Sequence, residues 1–172
     1  MKLVVKPLSE EEHALFRVIY SLYLHDLSEF TDFYQLSDEG QWLPDYLDTW
    51  LSPNQPNVHP FLFWLNDAPV GMALVGASPF PHMSPDADYR ISEFFIARGY
   101  RKKGIGRAAA KRLFEIFPGK WEIVQLEKNY NAVAFWASVV REFTAGQFAS
   151  DLVDGEVRQT FNQPTGLSDV SL

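Results

Sequence analysis

The sequence predicts a single α/β domain, and three observations carry that prediction. Short β-branched and aromatic runs alternate with amphipathic helical patterns along the chain. One stretch, residues 98–117, joins a strand pattern to a helix through a glycine turn. The 172 residues are 47% hydrophobic and 15% aromatic, enough to bury one two-layer core. The domain is expected to span residues 1–162, with a polar tail over 163–172.

Taken in order, residues 2–7 read as a strand, too short for the apolar part of a signal sequence. Ser9 and Glu12 form a capping box. The helix that follows is expected to run to about Leu27, with Leu15, Val18, Ile19 and Leu22 buried. A second short helix is expected from Pro44 through Trp50, closed by Pro53. Residues 61–65 and 70–77 read as strands joined by an Asn66-Asp67 hairpin turn. Gly71 in the second strand marks a bulge or a close approach. Pro79, Pro81 and Pro85 make 78–88 a loop. Residues 91–96 read as a strand on which Ile91, Glu93 and Phe95 share a face. A strand over 121–126, a helix over about 131–141, and a hairpin of 143–152 and 156–161 around Asp154-Gly155 complete the chain.

Chemistry concentrates in the glycine turn. Five of the fifteen Lys and Arg residues (Arg98, Arg101, Lys102, Lys103, Arg107) fall there, although the net charge of the chain is −7. A helix follows, with Ile105, Ala109, Leu113 and Phe117 as its apolar stripe. The small residues Ala108, Ala109 and Ala110 let it lie close to a sheet. The first N–H groups of a helix lack internal partners and the macrodipole is positive there, so the turn suits an anion such as phosphate. Gly99 and Gly104 have P-loop spacing, but Ile105-Gly106 replaces the required Lys-Ser/Thr, which removes the γ-phosphate lysine and the Mg²⁺ ligand. No third glycine follows Gly106, so the dinucleotide fingerprint is also incomplete.

Composition excludes other classes. Net acidity disfavours general nucleic-acid binding, and no apolar run approaches the roughly 18 residues that cross a bilayer. Without cysteine there is no disulfide, thiolate metal site or cysteine nucleophile. The histidines, His13, His25, His59 and His82, lack metal-ligand spacing. A cytoplasmic protein without a metal, a membrane or a nucleic-acid partner is expected.

The run Arg101-Lys102-Lys103-Gly104-Ile105-Gly106 resembles the R/Q-x-x-G-x-G/A acyl-CoA pyrophosphate loop of the Gcn5-related N-acetyltransferases, the GNAT superfamily. The element order resembles theirs too. Asn129, with Ala132 three and Trp136 seven positions on, resembles their second signature, in which Tyr takes the last place. Residues 135–148 also resemble a bacterial group of predicted GNAT proteins. The resemblance implies a mixed, mainly antiparallel central sheet, splayed at its centre, with helices on both faces. It implies acetyl-CoA as co-substrate. Arg101, Lys102, Lys103, Gly104, Ile105, Gly106 and Arg107 would hold the pyrophosphate. Backbone groups of Phe95 and Ile96, with Asn129, Phe135 and Trp136, would line the pantetheine.

Glu93 is a carboxylate at the centre of a buried strand pattern, which is unusual. The resemblance makes it the general base for an acceptor amine, its pKa raised by desolvation. Otherwise it is a structural carboxylate paired to Arg90 or Arg158. An indole cannot protonate the departing thiolate, the role credited to the family's Tyr. Tyr130 or Tyr23 would substitute for it, or the thiolate leaves unprotonated. Tyr23, His25, Asp26 and Glu29, at the end of the first helix, form a wall for a cationic amine or else cap their own helix. The expected activity is transfer of acetyl from acetyl-CoA to a primary amine of a small molecule or peptide, by a monomer or homodimer. The alternative is a non-catalytic acyl-CoA binder or sensor.

Overall fold

The structure, a computed structural model, describes residues 2–164. The expected tail therefore lies outside the described residues from 165 onward. Gln163 is tied down: its N–H donates to Gly119 O (3.0 Å) and its Nε2 to Phe114 O (3.1 Å).

The strands are β1 (Leu3–Pro7), β2 (Gln35–Leu36), β3 (Trp42–Leu43), β4 (Val58–Leu65), β5 (Ala68–Ala77), β6 (Tyr89–Ile96), β7 (Lys120–Leu126), β8 (Ala149–Val153) and β9 (Glu156–Asn162). The helices are α1 (His13–Leu27), α2 (Leu47–Trp50), α3 (Ile105–Ile116) and α4 (Tyr130–Phe143). Seven strands form one sheet in the order β1-β4-β5-β6-β7-β9-β8, while β2 and β3 make a separate small hairpin. Every neighbouring pair in the large sheet is antiparallel except β6 and β7.

β5 explains the layering. Its run is apolar on both faces: Ala73 and Val75 join the core under α3 and α4, and Met72 and Leu74 join the one under α1 and α2. A strand buried on both sides must lie inside a three-layer arrangement. Gly71 is glycine because a Cβ there would stand 2.2 Å from Phe95 O. At the hairpin turn, Asn66 and Asp67 both adopt positive φ (46° and 67°), the conformation a two-residue loop between twisted strands requires.

Four boundaries or faces differ from the sequence reading. Val18 and Leu22 are 61% and 50% exposed, and α1 instead buries Phe16, Ile19, Tyr20 and Leu24. Apolar residues surround most of this helix, so two stripes compete, and the one carrying large aromatic rings buries more area. α2 begins at Leu47 and not at Pro44, after Asp45 Oδ1 accepts from Leu47 N (2.9 Å). The closing hairpin begins at Ala149, because α4 runs on to Phe143 and ends through Ala145 and Gly146 at positive φ. Finally, Ile91 does not share a face with Glu93 and Phe95. Glu93 opposes Leu74 but Ile91 opposes Val75, which leaves Ser92 as an inserted residue. This bulge turns Ile91 toward α3 and α4, and Glu93 and Phe95 toward α1.

The sheet also opens. β6 and β7 pair only at Tyr89–Trp121, Arg90–Glu122 and Ile91–Ile123. From Ser92 to Ile96, β6 has no β7 neighbour, so the two strands form a fork with an unpaired backbone edge.

Candidate active site

The fork ends at the glycine turn. After β6, a 3₁₀ turn (Arg98–Tyr100) leads through Lys102 (φ 60°) to Gly104 (φ 79°), the N-cap of α3. The left-handed φ at the cap is what glycine supplies at least cost. The first internal bond of α3 is Ala108 N–H to Gly104 O (3.0 Å), and no side chain among the described residues caps the helix. The N–H groups of Ile105, Gly106 and Arg107 therefore have no helical acceptor. Gly106 leaves room of another kind: a Cβ there would lie 3.3 Å from both Ile96 and Phe135.

The basic side chains divide by role. Arg98 donates from Nε and Nη2 to Asp26 Oδ1 (3.1 and 2.9 Å), and Arg101 donates to the other oxygen of Asp26 and to Ile96 O (2.6 Å). Burial raises the Asp26 pKa, but the hydrogen bonds and charges of the two arginines outweigh it and leave the carboxyl below its ordinary range. Arg107 is held by Glu142 and by Ser138 Oγ (2.9 Å), joining α3 to α4. Lys103 donates to Gly99 O (2.8 Å), and Lys102 is exposed. Ile105 is buried, so only its backbone faces the turn.

On the α1 side of the fork lies Glu93. Burial pushes its carboxyl up to about 7, against the Tyr23 hydrogen bond and the Arg90 charge, which lower it. Burial, and then the Glu93 charge, raise the Tyr23 phenol well above its ordinary range, so it stays a donor. Tyr34 is also near, its phenol pushed up to about 12 by burial and by the Glu93 charge. The Tyr20 hydroxyl is buried beside Tyr34 and this carboxyl. Sequence reasoning missed Tyr20 and Tyr34; the latter sits in a stretch without periodicity, which offers no signal.

Of the expected acceptor wall, Tyr23 reaches Glu93 and Asp26 reaches the turn, while His25 and Glu29 are exposed. Asn129 caps α4 by accepting from Ala132 N (3.1 Å). Phe135 and Trp136 pack against Phe94, with ring centroids 5.9 and 5.0 Å away, and Trp136 is only 5% exposed. Tyr130, at the start of α4, is 77% exposed.

The model of the "Acetyltransferase (GNAT) family" matches residues 19–139. The chain belongs to the GNAT acetyltransferase family. No curated protein matches the sequence. Among solved structures, it resembles an acetyltransferase from Thermus thermophilus (17% identity, TM-score 0.68, covering 94% of this chain and 97% of that one). It also resembles a GNAT-family acetyltransferase from Streptococcus pneumoniae (14%, 0.59, 95% and 100%). A third is the PaiA N-acetyltransferase from Thermoplasma acidophilum in complex with coenzyme A (10%, 0.63, 94% and 99%). At these identities the structures establish the fold, and membership rests on the family match. GNAT acetyltransferases use acyl-CoA. No helix among the described residues is long and apolar enough to cross a membrane.

Proposed function

We propose that this chain transfers an acetyl group from acetyl-CoA to a primary amine. The observation that carries the reading is Glu93, a carboxyl titrating near 7 just past the point where β6 and β7 part. Such a group is half ionised near neutrality and suits general-base work. Glu93 takes the proton from the incoming amine, the nitrogen bonds to the thioester carbon, the C–S bond breaks, and CoA departs. Tyr23, a donor beside the carboxyl, favours its ionised form.

The donor fits the fork. The uncapped N–H groups of Ile105, Gly106 and Arg107 suit a pyrophosphate, with Lys102 and Lys103 adding charge. Arg101 and Arg107 act by holding the turn and α3 in position. The β6 edge that β7 leaves at Phe95 and Ile96 suits an extended pantetheine, which can pair as an added strand does where Arg101 shares or releases Ile96 O. Asn129 and Phe135 stand on the α4 side, with Trp136 packed behind Phe135. Tyr130, on the surface, is the candidate proton donor to the thiolate.

One observation favours the second reading, an acyl-CoA binder without turnover: no hydroxyl stands at 136, and the indole there is packed into the core. Glu93→Gln separates the two. It is expected to keep CoA affinity while lowering turnover by roughly 10²–10⁴ at neutral pH. Full activity in the variant would return Glu93 to a structural role. A parent that binds CoA but acetylates nothing in a broad amine panel is a binder.

A further inference from the structure

The α1-side core stops at Phe95; no β7 or β9 residue belongs to it. Beyond β6 the 78–88 loop covers part of this side of the sheet, through His82 and Ser84. The same face carries Arg90, Glu122 and Arg158. Glu122 is fully buried and accepts from Ser84 N (3.1 Å) and from the Ser84 hydroxyl. Arg90 Nη1 lies 3.5 Å from one Glu122 oxygen and also donates to His82 O (2.7 Å). Arg158 Nε lies 3.8 Å from the other oxygen, and its Nη1 donates to Ser84 Oγ (3.2 Å). Two guanidiniums thus share one carboxylate. The surplus positive charge falls on Arg158, whose side chain is 32% exposed against 17% for Arg90. Asp151, its cross-strand neighbour on β8, forms no ion pair with it; the guanidinium is engaged with Ser84 and Glu122 instead.

Position makes this charge usable. Arg158 opposes Val124, the first β7 residue past the last β6–β7 pair, so it stands level with Ser92 and Glu93. Past Ile123, β7 no longer pairs with β6, so Glu93 on β6 and Arg158 on β9 stand on either side of the open fork. We infer that the acceptor carries a carboxylate besides its amine, the amine at Glu93 and the carboxylate on Arg158. Arginine's planar fork suits a carboxylate, and Glu122 with Ser84 hold the guanidinium in place for it. The inference rests on the acetyl-transfer reading above and narrows its acceptor to the amino-acid class.

Matched pairs test it: amino acids against the amines of their decarboxylation, such as lysine with cadaverine and tyrosine with tyramine. With acetyl-CoA saturating, kcat/KM is expected to favour the carboxylated member of the preferred pair by about tenfold or more, as a charged hydrogen bond would. Arg158→Gln should erase that ratio and Arg158→Lys retain part of it, with CoA affinity unchanged in both. Titration of the same pairs into CoA-loaded protein reads binding without turnover. Equal use of both members, or a ratio that survives Arg158→Gln, overturns the inference while acetyl transfer stands. Carboxylated ligands that bind through Arg158 without being acetylated keep the anion site and remove the transfer reading. Neither binding nor turnover with any pair overturns the inference as well.

Discussion

Glu93 shows what one residue can tell and what it cannot. A carboxylate in the middle of an apolar strand is conspicuous in the sequence, because burying one without a partner is costly. Its face is not, since the inserted Ser92 reverses the alternation from Ile91 to Glu93. Nor is Tyr34 legible, which comes to Glu93 from a loop. The raised pKa has a cost in stability. Between the ordinary carboxyl value and about 7, the folded state binds a proton that the unfolded chain has released. Stability from this group is therefore present below the ordinary value and lost as pH rises through 7. Glu93→Gln removes that titration. The variant should match the parent near pH 4 and exceed it at pH 8, by about 3 kcal/mol. Urea melts at the two pH values measure it, and a pH-independent difference would mean that Glu93 is not the group strained by burial.

At the scale of elements, the first helix links the two halves of the site. Tyr23 and Asp26 lie one turn apart on α1; one meets Glu93 and the other clamps Arg98 and Arg101. The sequence marks this helix end as crowded with polar and aromatic groups, without saying which neighbour each would find. Contacts 72 and 75 residues away in the chain are set by the sheet between them and not by local pattern. The clamp joins the helix proposed to face the acceptor to the turn proposed to hold the donor, so its loss should act on donor binding. Asp26→Asn removes the charge that both arginines share. The KM for acetyl-CoA is expected to rise by roughly 3–10-fold with kcat little changed, because the turn is no longer held in its binding geometry. Steady-state kinetics decide the point. A fall in KM would instead show that Asp26 competes with the donor's phosphates for the arginines.

For the whole molecule, element order and most strand positions are legible because periods of 2 and 3.6 are local signals. The fork is not. Residues 91–96 and 121–126 each read as an ordinary strand, and where two strands stop pairing depends on what packs above and below them. The GNAT resemblance implies the splay; the strand pairing that ends at Ile91–Ile123 places it. Because the proposed donor site draws on β6, the turn, α3 and α4 together, CoA should bind the folded chain and not the unfolded one. At a hundredfold excess over Kd this adds about 2.7 kcal/mol, which for a chain of this size is a rise in Tm of about 5–10 °C. The shift should shrink with added salt, since cations at an exposed turn are screened over about 10 Å at 0.1 M. Gly104→Asp should abolish it. A Cβ at 104 meets no atom within 4 Å, so steric exclusion by the protein is not the cause. A φ of +79° disfavours the new side chain, and its carboxylate would sit beside the N–H groups proposed to hold the pyrophosphate. An undiminished CoA shift in Gly104→Asp would place the pyrophosphate elsewhere, and with it the acetyl group that Glu93 is proposed to serve.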